Sequence, residues 1–144
     1  YVKSFEKPNQ KGTEINKNLS LSPKVPCYIF KNNMIFIKIF SLDFSFAIDK
    51  NLSHIFKKID EFKMKVDIIQ NSAISFSICL FDKYNQIDNL IKSLEGKFKI
   101  EVYKNISLYT IRHFDEQAIK VVSKGKKLLL EQRSEKTVKL IFKN

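Results

Sequence analysis

The spacing of apolar residues between positions 34 and 103 restricts the fold of this chain more than any other feature. Residues 34–40 (MIFIKIF) are almost continuously apolar, which predicts a strand covered on both faces. Two later segments carry apolar residues three and four positions apart, which is typical of helices with one buried face. The predicted elements are a strand at 34–40, a helix at 52–62, strands at 66–69 and 74–80, a helix at 87–94 and a strand at 98–103.

This order of strand, helix, strand, strand, helix and strand predicts a complete split βαβ, or ferredoxin-like, unit. The pattern then restarts with a strand at 106–112, a helix capped by Asp115, and strands at 127–131 and 137–142. This second unit is truncated, and a strand at 27–30, followed by a turn at Asn32-Asn33, can complete it. The predicted class is therefore α+β, with two tandem βαββαβ units.

Composition narrows the classes of partner and compartment. The net charge is +11, yet only Arg112 and Arg133 among the 26 basic residues are arginine, so we expect no nucleic-acid partner. No apolar run is long enough for a transmembrane helix, and we expect no membrane partner. Cys27 and Cys79 lack metal-type spacing, which indicates reduced thiols, a cytoplasmic location and no metal site.

A Val-Asp pair, two aliphatic residues, a polar pair and a serine follow one another at Val66-Asp67-Ile68-Ile69-Gln70-Asn71-Ser72. This stretch resembles one in the C-terminal regulatory region of bacterial aspartate kinases, which contains tandem ACT domains. Two further segments, Arg112-His113-Phe114-Asp115 and residues 128–134, resemble the C-terminal segments of one bacterial branch of that family. Near the start of the chain, Val2-Lys3-Ser4-Phe5 with Pro8 and Gly12-Thr13 resembles the last strand and loop of the amino-acid kinase domain. The resemblance covers almost the whole chain.

This resemblance implies a division of the chain and a role for it. Residues 1–26 are expected to be the tail of a kinase domain and a linker, residues 27–33 a strand joining the second ACT unit, residues 34–103 the first ACT unit, and residues 104–144 the second, partial one. The parent enzyme would use ATP and Mg²⁺ to phosphorylate aspartate. The fragment has three widely separated glycines and no glycine-rich phosphate loop. We therefore expect no catalytic residue and no cofactor here.

The resemblance also implies a homodimer through the ACT units and a small amino-acid effector, lysine or threonine. Free N–H groups at the start of the first helix would hold the effector carboxylate, Asp67 would face its ammonium, and Asn71 and Ser72 would orient it. The expected effector-binding residues are Ser41, Asp43, Asn51, Leu52, Val66, Asp67, Asn71 and Ser72.

Each of these interpretations has an alternative. Asp67 could be a solvent-facing carboxylate at a strand edge, and Gln70-Asn71-Ser72 could simply form a turn. Ala73 stands where lysine-inhibited relatives often have glutamate, which leaves the effector open. The chain could also serve only for dimerisation, or be an RNA-binding module of RRM type. The latter would need exposed aromatic residues on its middle strands, such as Phe36, Phe40 and Phe76.

Overall fold

The computed structural model describes residues 1–17, 24–41 and 48–143, and of residues 48–50 only the backbone. Within these residues the chain forms six strands and three helices. The elements are β1 (Cys27–Ser41), α1 (Ile48–Glu61), β2 (Lys65–Asn71), β3 (Ser75–Phe81), α2 (Ile87–Leu94), β4 (Phe98–Arg112), α3 (Glu116–Ser123), β5 (Lys127–Arg133) and β6 (Thr137–Lys143). All six strands belong to one antiparallel sheet with the order β2-β3-β1-β4-β6-β5. The α+β class is therefore confirmed.

The two central strands, β1 and β4, each contain 15 residues and run the length of the molecule. Residues 36–41 of β1 pair with residues 98–103 of β4, and residues 27–31 pair with residues 108–112. The register shifts around Asn33 and Asn105, which both have positive φ values of 56° and 55°. Asparagine tolerates this left-handed conformation, so each strand bends without ending. The predicted turn at Asn32-Asn33 is therefore wrong, as is the predicted break between two strands at 104–105.

The bends divide the sheet into two units. We call residues 34–103 the first unit, and residues 106–143 together with 27–31 the second unit. Helices α1 and α2 cover one face of the first unit, whose core is formed mainly by Ile35, Ile37, Ile39, Ile55, Phe76, Ile78, Leu80, Leu90 and Leu94. Helix α3 covers the corresponding face of the second unit, over Ile111, Ala118, Val122, Val138, Leu140 and Phe142.

The helix-free faces of the two units share a third core, which we call the inter-unit core. Its buried members are Met34, Phe36, Ile68, Cys79, Ile106, Leu108, Leu130 and Ile141. The sheet curls so far that its two edges meet, because Gln132 Nε2 on β5 donates to the carbonyl oxygen of Ile69 on β2 at 3.2 Å. The second unit thus covers the face that an RRM would use for RNA. Phe36 and Phe76 are 0% and 1% exposed, which removes the base-stacking platform of that alternative.

Residues 1–17 lie largely at the surface, where backbone hydrogen bonds of 2.8 Å join Val2 and Thr13.

Among the helices of the described residues, none is both long and apolar enough to cross a membrane.

Candidate effector site

Strand β2 carries three of the predicted effector-binding residues, Val66, Asp67 and Asn71, and a β-bulge in it sets the direction of one of them. β2 lies at the edge of the sheet, and its pairing with β3 shifts register between Val66 and Ile68. Asp67 is the extra residue, and such a bulge redirects a side chain from its regular position. The Asp67 side chain is only 15% exposed, so its interpretation as a solvent-facing carboxylate is wrong.

The chain itself supplies partners for Asp67. The Lys31 ammonium forms an ion pair with Oδ1 of Asp67 and joins β1 of the second unit to β2 of the first. Lys139 Nζ on β6 donates to the Asp67 carbonyl oxygen at 3.1 Å. The other carboxylate oxygen, Oδ2, is buried and accepts no hydrogen bond from any residue that the structure describes. Asp67 therefore has one oxygen in an ion pair and one buried oxygen that lacks a donor.

The same environment affects Cys79, which lies on β3 in the inter-unit core. Burial raises the pKa of the Cys79 thiol to about 12, and the nearby negative charge of Asp67 adds to this effect. The thiol is therefore protonated and unreactive at neutral pH. Cys27 is exposed, so the two cysteines differ sharply in accessibility.

A cleft of about 310 Å³ opens beside Asp67. We call it the Asp67 cleft. It lies where the first residues of β2 approach the bend of β1, and it combines cationic, anionic and apolar side chains. Its lining consists of Lys31, Asn32, Met34, Lys65, Asp67 and Phe81. This volume is at the lower end of the range for small-molecule sites, which begins at about 300 Å³.

The predicted turn on β2 is displaced by two residues. Gln70 and Asn71 still belong to the strand, and the chain reverses between Ser72 and Ser75. The Ser72 N–H donates to the Ser75 carbonyl at 2.9 Å, and Ser72 Oγ accepts from the Ser75 N–H at 3.1 Å. Turn formation is confirmed for Ser72 and is wrong for Gln70 and Asn71. Both are exposed at the sheet edge, where polar side chains remain hydrated.

One chain does not bring the predicted residues of β2 into a single site. Asp67 and Asn71 are four positions apart along an extended strand, which corresponds to roughly 13 Å. Ser41 follows Phe40, which pairs with Ser75 near Ser72, so these residues lie at the far end of the first unit from the Asp67 cleft. Val66 packs against the core under α1 and α2, on the other face of the sheet. Asp43 lies outside the described residues.

Helix α1 also differs from the prediction. It begins at Ile48, so Asn51 lies within the helix and not at its start. The N–H groups of Leu52 and Ser53 are beyond the first turn, where helical N–H groups already have backbone partners. The Leu52 side chain packs against the first-unit core. The Leu52 N–H is therefore not free to bind an effector carboxylate.

Sequence reasoning missed most of the cleft. Lys31 and Asp67 are 36 positions apart in sequence, and Lys65, Met34 and Phe81 carried no local signal of a site. Within the described residues no group of three or more His, Cys, Asp or Glu side chains could hold a metal ion.

Comparisons with known proteins identify the fold. No protein-family model matches the chain, and no curated protein matches its sequence. The solved structures include a C-terminal regulatory domain described as belonging to aspartate kinase from Porphyromonas gingivalis. It matches with a TM-score of 0.68 and 17% identity, over 83% of this chain and 87% of that one. This chain has the fold of an aspartate kinase regulatory domain.

Two further structures agree. Aspartokinase III of E. coli, in complex with lysine and aspartate, gives a TM-score of 0.62 at 14% identity and covers 79% of this chain. The regulatory subunit of aspartate kinase from Thermus thermophilus gives 0.59 at 13% identity, over 81% of this chain and 85% of that one. This chain spans 28% of the length of the E. coli enzyme. The resemblance found in the sequence is confirmed at the level of the fold.

Proposed function

We propose that this chain is the regulatory region of a cytoplasmic aspartate kinase and responds to an amino acid of the aspartate family, lysine or threonine. The observation that carries the proposal is the agreement in fold with a separate regulatory domain over 83% of the chain. The parent enzyme would transfer phosphate from ATP to the side-chain carboxylate of aspartate. The fragment itself would be regulatory, because its three glycines are too far apart to form a phosphate-binding loop.

The two edges of the sheet support a second element of the proposal, a homodimer. β2 and β5 are the edge strands, and Ile69 and Leu128 on them are 42% and 44% exposed. Ile74, in the turn after β2, is 55% exposed. Exposed apolar side chains along an edge strand favour association with another chain. A dimer would also bring copies of Asp67, Asn71 and Ser72 from two chains together, which one chain alone does not do.

The mechanism that we propose is differential binding. An effector that binds one arrangement of the dimer more tightly shifts the population toward it by the ratio of the two affinities. The continuous strands β1 and β4 connect the two units. Lys31 and Lys139 of the second unit contact Asp67 on β2, so a displacement of Asp67 would be transmitted to the second unit through these two lysines. The attached kinase domain would be inhibited in the arrangement that the effector favours.

A thermal-unfolding series on this chain tests the effector role. We expect L-lysine or L-threonine at millimolar concentration to raise Tm, since a ligand that binds only the folded state stabilises it. The D-enantiomers serve as controls for non-specific effects. If no aspartate-family amino acid changes Tm, the effector role is excluded and the dimerisation role alone remains, which sedimentation velocity measures separately.

A further inference from the structure

The sheet has further edges besides β2 and β5, because β1 and β4 are longer than the strands beside them. Residues 27–31 of β1 and residues 98–103 of β4 each pair with one neighbouring strand only, among the residues that the structure describes. The outward N–H and C=O groups of such a segment are available to another strand. The four edge segments differ in how strongly their sequences oppose that pairing.

Three of the four edge segments are protected against the addition of a strand. On β2, the second unit already occupies two carbonyl oxygens. Lys139 Nζ donates to that of Asp67 at 3.1 Å, and Gln132 Nε2 donates to that of Ile69 at 3.2 Å. Charged side chains, which oppose edge-to-edge pairing, also occur within the segments of β2, β4 and β5. They are Lys65 and Asp67, Lys99 and Glu101, and Lys127, Glu131 and Arg133.

Residues 27–31 (CYIFK) have neither form of protection. Their one charged side chain is Lys31, at the end of the segment, and their pairing with β4 contains no bulge. Tyr28, Ile29 and Phe30 are all exposed, and Ile29 is 56% exposed. Because side chains alternate along a strand, Tyr28 and Phe30 share one face and Ile29 lies on the other. An uncharged edge with apolar side chains exposed on both faces favours pairing with another strand.

The segment is complementary to a second copy of itself when the two strands run antiparallel about a two-fold axis at Ile29. Tyr28 then lies opposite Phe30 of the other copy, which gives two cross-strand aromatic pairs. Lys31 lies opposite the uncharged Cys27, and the two copies of Lys31 are roughly 13 Å apart along the strands. This separation exceeds the Debye length of about 8 Å at physiological ionic strength, so their repulsion is largely screened.

We propose that residues 27–31 form a self-pairing edge, through which two copies of the chain join their sheets. This interface is separate from the β2 and β5 edges, so it goes beyond the proposed homodimer and doubles the mass of the species formed there. A large apolar side chain buries roughly 200 Å², so three that are about half exposed contribute roughly 300 Å² per chain. The pair would bury about 600 Å² of side-chain surface, whereas stable interfaces bury at least about 1,200 Å². We therefore expect association in the micromolar range or weaker.

Charge substitutions at Ile29 test the self-pairing edge by sedimentation equilibrium over a wide range of concentrations. Ile29→Lys places like charges at the two-fold axis and should weaken the association at least about tenfold. Ile29→Asp should have the same effect. An equimolar mixture of the two variants should recover the association, because opposite charges then meet at the axis. Val121→Lys is the matched control, since it adds the same charge at an exposed apolar residue of α3, and should associate like the unaltered chain.

Oxidative crosslinking gives a second readout that detects weak complexes. In a Cys27→Ala background, Ile29→Cys places two thiols directly opposite each other in the paired edges. Val121→Cys in the same background is the control, and Cys79 is buried in both proteins. We expect diamide to convert Ile29→Cys into a disulfide-linked dimer at least about tenfold faster than Val121→Cys.

The outcomes distinguish this interface from the proposed homodimer. If Ile29→Lys lowers the average mass and the mixture restores it, the self-pairing edge is supported, whether the smaller species is a monomer or a dimer. If the unaltered chain and Ile29→Lys have the same average mass at every concentration, the self-pairing edge is excluded. A dimer present in both samples would then still support the proposed function. Crosslinking of Ile29→Cys at the rate of Val121→Cys would likewise exclude the self-pairing edge.

Discussion

The two units of the sheet have the same strand arrangement but different helical cover. In the first unit, α2 packs over β4, and Phe98 at the start of that strand is only 6% exposed. In the second unit, residues 27–31 of β1 take the corresponding outer position beside β4, and no helix within the described residues covers them. Tyr28 and Phe30 are 42% and 55% exposed there.

This difference shows that hydrogen bonding along a shared strand can maintain a sheet where helical packing is incomplete. Phe30 pairs with Tyr109 and contacts its ring edge-on, with centroids 4.7 Å apart. The Lys126 ammonium lies 4.4 Å from the centroid of the Tyr109 ring and donates to its hydroxyl at 2.8 Å. Cross-strand aromatic pairs and cation–π contacts each contribute only about 1 kcal/mol. The outer strand of the second unit is therefore held less firmly than that of the first.

The largest expected effect comes from truncating one phenylalanine in each unit. Phe98→Ala should lower the free energy of unfolding by about 3–5 kcal/mol, because it leaves a cavity under α2. Phe30→Ala should cost about 1 kcal/mol, since the ring is already 55% exposed. Urea denaturation of both variants measures the difference. Equal losses would mean that the outer strand of the second unit is as well packed as that of the first.

The inter-unit core provides a pH-dependent test. The Cys79 thiol has its pKa raised from 9.0 to about 12, mainly by burial, so the folded protein keeps the proton that the unfolded chain releases above pH 9. This contribution to stability is complete below pH 9 and is lost as the pH rises toward 12. Within this window the free energy of unfolding should fall by about 1.4 kcal/mol per pH unit on account of this group.

Cys79→Ala should remove that part of the pH dependence, measured as the difference in slope between the variant and the unaltered protein. Cys27→Ala is the control, because Cys27 is exposed. An unchanged slope in Cys79→Ala would mean that solvent reaches the thiol and that the two helix-free faces are not tightly packed.

The smallest expected effect concerns the contact between the two sheet edges. Gln132→Ala removes the hydrogen bond to the Ile69 carbonyl and should cost about 0.5 kcal/mol, because water can replace the lost donor at this exposed position. Hydrogen exchange of β2 amides should rise more than that of β3 amides, since β3 is paired on both sides. Exchange that increases equally in both strands would show that Gln132 does not hold the edge specifically.

The sequence predicted the kind and order of the elements well, because apolar periodicity follows directly from which faces are covered. Asp115 was predicted to cap α3, and its carboxylate does accept from the Ala118 N–H at 2.6 Å. The predictions were wrong where one short sequence pattern is compatible with two different structures. Asn32-Asn33 is compatible with a turn or with a bent strand, and only the pairing with β4 decides between them.

The candidate site was less predictable for a related reason. The family resemblance indicated Asp67, but its burial depends on a bulge, and its ion pair joins residues 36 positions apart. Neither the bulge nor the ion pair can be predicted from the spacing of residues along the sequence. Residue types alone also did not reveal that Lys31 would compensate the carboxylate.

The long strands β1 and β4 also constrain how such a chain can change during evolution. The second unit is encoded by two separate pieces, residues 27–31 and residues 106–143, with the entire first unit inserted between them. A recombination event that exchanged only the C-terminal piece would leave the old strand 27–31 facing a new neighbour. The two units therefore cannot be shuffled as independent modules, and a substitution on one side of this pairing restricts the residues that the other side can accept.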